Sequence, residues 1–195
     1  MKDATEIVVI LDRSEPMQDM QQEAIGGFNA FLADQKAIPG EARLTLVLFD
    51  HRYDVIHASV PLADVPALNH DTYQTTGTTA LLDAVGRTVV AVGTRLEALA
   101  EEDRPNKVMV TILTAGMGNA SREYRQEQIA AMLKEQQEKY RWEVIFLAAN
   151  IDAYAAGGQL GIKDRNIRAY ADSGDLTQRG FRGMSAITTA YRTSR

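Results

Sequence analysis

Apolar positions in this chain fall into two alternating kinds of run. The stretch at residues 7–11 is unbroken, β-branched and aliphatic, which suits a strand covered on both faces in a parallel sheet; residues 107–113 read as another buried strand and 142–148 as the next strand. Residues 42–49 form another strand, with Leu44, Leu46 and Leu48 on one face. Between these the spacing changes to threes and fours, the period of one helical face. It does so at Met20, Ala24, Phe28 and Phe31 or Leu32 in a helix over 20–33. It recurs at Leu82, Val85, Val89, Val92, Leu96 and Leu99 over 79–99, and at Ile129, Met132, Leu133 and Tyr140 over 121–140.

Shorter elements complete the alternation. The polar connection Asp50-His51-Arg52 leads into residues 53–60, where Tyr53, Val55 and Ile56 predict an antiparallel edge strand paired back by a hairpin and closed by Pro61. Residues 62–76 are irregular, 152–160 read as a short helix, 166–169 as a short last strand and 175–191 as a closing helix. Gly26-Gly27, inside the first helix, costs about 1 kcal/mol per glycine against alanine; close approach of that helix to the sheet would explain the expense. Strands alternating with helices imply an α/β fold: a doubly wound, mostly parallel, Rossmann-like sheet with one antiparallel edge strand and helices on both faces. No linker composition or internal repeat divides residues 1–195, so a single domain is expected.

In such a sheet the loops at the carboxyl ends of the strands hold the ligand. The first strand runs into Leu11-Asp12-Arg13-Ser14-Glu15-Pro16-Met17, the fourth into Leu113-Thr114-Ala115-Gly116, and Gly77-Thr78-Thr79-Ala80-Leu81 precedes the second helix. LDRSEPM resembles the LDxSxSM signature of the von Willebrand factor type A domain. The other two stretches resemble its second and third metal loops, the third normally reading TDG. The likeness extends to Gly27-Phe28-Asn29, Leu48-Phe49-Asp50 and Phe146-Leu147-Ala148-Ala149-Asn150 and covers nearly the whole chain. It suggests a stand-alone domain of bacterial type.

What the resemblance implies is a protein-interaction module whose adhesion site collects a divalent cation from three loops, completed by a carboxylate from the partner. This chain keeps Asp12, Ser14 and Thr79 at the metal positions. Pro16 stands where the second serine belongs, and Ala115 where the third-loop aspartate belongs. Mg²⁺ demands near-octahedral oxygen ligands; one aspartate and two hydroxyls predict no bound cofactor, or at most weak Mg²⁺. Glu15 could swing in as a replacement carboxylate or point to solvent. Without the metal, Asp12 would accept backbone N–H bonds from its own loop. The expected partner surface is Asp12, Ser14, Glu15, Met17, Thr78, Thr79, Ala115 and Met117, with the two methionines offering adaptable apolar area.

Composition removes other classes. A net charge of −5 argues against nucleic acid, which needs a concentrated basic face; Arg165, Arg168, Arg179, Arg182, Arg192 and Arg195 are interleaved with Asp164, Asp172 and Asp175. The absence of cysteine excludes disulfides, thiolate zinc and cysteine nucleophiles. No run reaches the length of a membrane span, and a short polar leader enters the first strand directly, so a cytoplasmic protein is expected. Ser14 lies in no GxSxG elbow, and His51, His57 and His70 have no metal-binding spacing, so no enzymatic activity is expected. Gly116-Met117-Gly118-Asn119-Ala120-Ser121 offers an alternative, a nucleotide loop of GxGxxS form, although Asn150 stands where an acid for the ribose is wanted. A structural, self-assembling subunit is the third reading.

Overall fold

The central strand β1 spans Lys2–Asp12 and is paired along its length, parallel to β2 (Glu41–Phe49) on one side and to β4 (Pro105–Thr114) on the other. The computed structural model describes residues 2–118, 120–149, 152–169 and 174–194. Outside β2 runs β3 (Tyr53–Pro61), the one antiparallel strand; outside β4 come β5 (Glu143–Ala148) and β6 (Ile167–Ala169), giving the order β3-β2-β1-β4-β5-β6. The doubly wound sheet with an antiparallel edge is therefore as the sequence predicts. Alternation along β1 divides the core. Ile7, Val9 and Leu11 face α1 (Gln21–Ala37) and α5 (Gly174–Thr193), whereas Val8 and Ile10 face α2 (Leu81–Glu97), α3 (Gln126–Lys139) and α4 (Ala153–Gln159).

Several boundaries differ from the sequence reading, each for a physical reason. β1 begins five residues early because the polar positions before Ile7 pair with β2 and β4 rather than forming a leader. α1 runs four residues further because Gln35 is buried against α5, where its amide donates to the Thr189 hydroxyl at 3.0 Å. The helix expected from residue 121 starts only at Gln126. Residues 122–124 spend their backbone N–H groups on the Asp83 carboxylate, at 2.8, 2.9 and 3.0 Å, and are held out of the helix.

Gly27 does permit a close approach, but to α5 rather than to the sheet: a Cβ there would lie 2.1 Å from the Phe181 ring. Gly26 faces open space, and nothing in the structure explains it. The last-turn basic residues serve the fold. Arg165 pairs with Glu143 at 2.8 Å, and Arg192 donates to the carbonyls of Ile38 and Gly40 at 3.3 Å. Asp172 lies outside the described residues. Among them, no helix is long and apolar enough to cross a membrane.

Candidate functional site

The carboxyl ends of β1 and β4 lie side by side, and what leaves them meets at Asp12. Its side chain is fully buried. Oδ1 accepts the Ser14 N–H at 2.7 Å; Oδ2 accepts the Thr114 hydroxyl at 2.7 Å and the Ala115 N–H at 3.2 Å. Burial pushes the Asp12 carboxyl above the usual carboxylate range, outweighing the hydrogen bonds from Ser14, Thr114 and Ala115 that pull it down. Thr79 donates its hydroxyl to Ser14 Oγ at 2.7 Å, so the second loop is tied to the first through the two neutral positions of the motif. Tyr73, fully buried in the irregular segment, donates to the Asp12 carbonyl and fastens the base of the loop.

A charged cluster braces the other side. Arg13, inside the motif, donates from Nε to Asp50 Oδ2 at 3.1 Å and also pairs with Asp54. Asp50 caps the turn after β2 by accepting the Arg52 N–H, and its carbonyl accepts the Ala80 N–H at 2.9 Å at the entrance to α2. Burial works to raise the Asp50 carboxyl, but hydrogen bonds from Arg52 and the charges of Arg13 and Arg52 overcome it and hold the carboxyl below its usual range. His51 lays its ring on Gly77, where a Cβ would come within 2.2 Å of Nδ1. Gly77 also has φ +72°, open to glycine and strained for other residues.

The third loop is anchored reciprocally to α2. The Ser121 hydroxyl accepts the N–H groups of Leu82 and Asp83 at 3.0 and 3.3 Å, capping a helix to which it does not belong, while Asp83 holds residues 122–124. Asp83→Ala is expected to lower stability by about 1–2 kcal/mol and to speed hydrogen exchange at the Arg122, Glu123 and Tyr124 amides. Unchanged exchange at those three amides would refute the anchoring role.

These placements narrow the expected partner surface. Met17 is fully buried in the core between the first loop and α1, so the apolar contact expected from it is corrected: it packs inward because the turn Glu15–Met20 is a 3₁₀ helix that rolls Met17 and Met20 toward the sheet. Asp12, Ser14, Thr79 and Ala115 are buried as well. Glu15 and Thr78 are exposed and Met117 is half-buried, so these three form the accessible rim. Sequence reasoning missed Arg13, Tyr73 and Thr114. Arg13 and Thr114 lie within the motifs themselves and carried that much signal; Tyr73, in an irregular stretch, carried none.

The nucleotide loop does not take the form its fingerprint needs. In that motif the glycines open directly onto a helix N-terminus that receives the phosphates. Here α3 starts at Gln126, and Gly118 (φ +61°) is pressed against the second loop, where a Cβ would lie 2.1 Å from the Thr79 carbonyl oxygen. Asn119 and Asn150 lie outside the described residues.

The sheet order and the three converging loops match structures solved for other proteins. The fold is that of a von Willebrand factor type A domain. Proximal thread matrix protein 1 from the mussel byssus, in a structure described as having a zinc-occupied MIDAS motif, aligns with a TM-score of 0.67 at 14% identity over 95% of this chain and 46% of its own. A von Willebrand factor type A protein from Catenulispora acidiphila gives 0.62 at 11% identity over 95% and 42%. Manganese-loaded TRAP protein from Plasmodium vivax gives 0.63 at 11% identity over 90% and 72%. The chain thus spans less than half the length of the byssus protein. By sequence it matches no family model and no curated protein.

At the positions that correspond to the metal loops of this fold, Asp12, Ser14 and Thr79 bring one carboxylate and two hydroxyls, Pro16 brings neither hydroxyl nor N–H, and Ala115 brings a methyl group. Among the described residues there is no group of three or more His, Cys, Asp or Glu side chains that could hold a metal ion.

Proposed function

We propose that this chain is a non-catalytic protein-interaction module that engages a partner through the loops at the carboxyl end of its sheet without a bridging cation. The observation that carries this reading is that the polar groups of the motif already satisfy one another. Both Asp12 oxygens accept hydrogen bonds from Ser14, Thr114 and Ala115, and the Thr79 hydroxyl is given to Ser14. A cation would have to displace that network and dehydrate against a single negative charge. Two of the neighbours are metal-loaded, with zinc in the byssus protein and manganese in TRAP, and the changes at Pro16 and Ala115 set this chain apart from the metal pattern. The partner then meets hydrogen-bonding groups at Glu15 and Thr78 and apolar area at Met117, in a cytoplasmic setting.

Isothermal titration with Mg²⁺ and Mn²⁺ tests the metal half. No saturable heat is expected below the millimolar range, whereas micromolar binding would overturn the reading of Pro16 and Ala115. For the interaction half, Glu15→Lys and Thr78→Tyr should abolish capture of a partner identified by cross-linking from the three rim positions. Retention of that partner by both variants would place the interface elsewhere.

A further inference from the structure

Glu6 breaks the aliphatic face of β1 with a charged residue that is 1% exposed, near the end of the sheet opposite the loops. Its carboxylate is fully engaged. Arg95 of α2 donates to Oε1 at 2.8 Å and to Oε2 at 3.4 Å, the Thr45 hydroxyl donates to Oε1 at 2.8 Å, and the Ser59 hydroxyl donates to Oε2 at 2.8 Å. Ser59 reaches this position through a bulge: β3 sets Ala58 and Ser59 opposite the single residue Thr45, and Ser59 adopts φ +53° while buried. Arg43 then closes the chain of contacts by donating from Nε to Ser59 Oγ at 3.0 Å. A buried ion pair contributes little net stability and left-handed backbone at a non-glycine residue is strained, so an arrangement that combines both is an expensive way to fill a core.

Glu6, Arg43, Ser59 and Arg95 wall an open cavity of about 410 Å³, at the small end of the range for ligand pockets. Among the described residues, the terminal nitrogens of Arg43 and Nε of Arg95 have no hydrogen-bond partner, so both guanidiniums carry unspent donors suited to an anion. Leu96, Leu99 and Pro105 supply an apolar wall beside them. Glu41 and Asp103, exposed and also lining the cavity, bring it with Glu6 to three carboxylates against two guanidiniums, so a doubly charged group is repelled and a single negative charge is held only in direct contact with the guanidiniums.

We infer that this cavity binds a small organic monocarboxylate, its carboxylate held by Arg43 and Arg95 and its adjoining apolar group lying on Leu96, Leu99 and Pro105. The ligand is a free acid or the carboxyl terminus of a peptide, which share this chemistry. Glu6 is a positioning residue: with Thr45 it fixes the Arg95 fork, and Ser59 fixes that of Arg43. Six residue steps along β1 take Glu6 to Asp12, about 20 Å at 3.3 Å per residue, so the cavity is separate from the loop face and its occupancy does not depend on the function proposed there.

Amide NMR titration of the full chain tests this with four probes: phenylacetate, inorganic phosphate, a short peptide ending in a free phenylalanine carboxylate, and the same peptide amidated. Phenylacetate or the free-acid peptide is expected to shift the Arg43, Ser59 and Leu96 amides saturably, with a Kd on the order of 1 mM. Phosphate and the amidated peptide should leave them in place. Arg43→Gln, at a partly exposed position, should weaken binding about tenfold or more through loss of a charge-assisted fork, and Arg43→Lys should weaken it less. Saturable shifts with the free-acid peptide but not phenylacetate assign the carboxylate to a chain end and uphold the inference. Absence of saturable shifts with both carboxylates overturns it, as does phosphate binding as tightly as they do, or unchanged binding in Arg43→Gln.

Discussion

Replacing Pro16 with serine and Ala115 with aspartate in one protein is expected to create an Mn²⁺ site at least about 100-fold tighter than any in the parent chain. Changes to residues that merely support metal ligands cost about 10–100-fold, and here two direct oxygen donors return together. Ala115 sits beside the carboxylate it would join, its N–H already 3.2 Å from Asp12 Oδ2. Two carboxylates then share one buried site, and like charges destabilise it until a cation arrives. The metal-free variant should melt below the parent, and Mn²⁺ should raise its melting temperature by mass action while leaving the parent unmoved. Because binding requires deprotonated Asp12, whose carboxyl is pushed upward by burial, affinity should fall as the pH is lowered. Calorimetry at two pH values with a parallel melt reads all of this. A double variant that folds and binds no better than the parent would show that the missing donors are not what separates this chain from a metal-binding site.

Arg95→Met is expected to cost about 3 kcal/mol of unfolding free energy, measured by urea denaturation. The substitution keeps most of the apolar stem but leaves Glu6 buried without its counter-charge, and breaking a buried pair by removing one partner is far more costly than the pair is worth. Arg95 is 30% exposed, so water recovers part of the loss and the figure belongs at the low end for such pairs. Glu6→Leu combined with Arg95→Met should return most of the stability, because an apolar replacement of both partners removes the desolvation cost along with the attraction. A single variant as stable as the parent would mean that Glu6 finds sufficient compensation in the Thr45 and Ser59 hydroxyls alone.

Much of the candidate site was legible because its residues sit in short, contiguous motifs at strand ends. Asp12, Ser14 and Thr79 were identified from loop sequence, and the structure brings all three together through the Thr79 to Ser14 hydrogen bond. Which of the motif residues are accessible was not legible. Met17 reads as a loop residue, yet the 3₁₀ turn buries it, because a period near three brings Met17 and Met20 onto one inward face. The stretch after the third loop misled for the opposite reason. Ser121 and Asp83 are distant in sequence, and only their mutual capping shows that residues 122–124 hand their N–H groups to a carboxylate instead of starting a helix.

The chain's order of elements, the parallel character of its inner strands and the identity of the three loops follow from the sequence alone, because apolar periodicity and strand-end motifs are local properties carried by neighbouring residues. Tertiary structure alone decided that Glu6 meets Arg95, Thr45 and Ser59, that Arg13 braces Asp50, and that Gly27 makes room for Phe181. Each of these joins residues tens of positions apart or more, and a polar side chain in an aliphatic strand is stable or ruinous according to a partner that no local pattern announces.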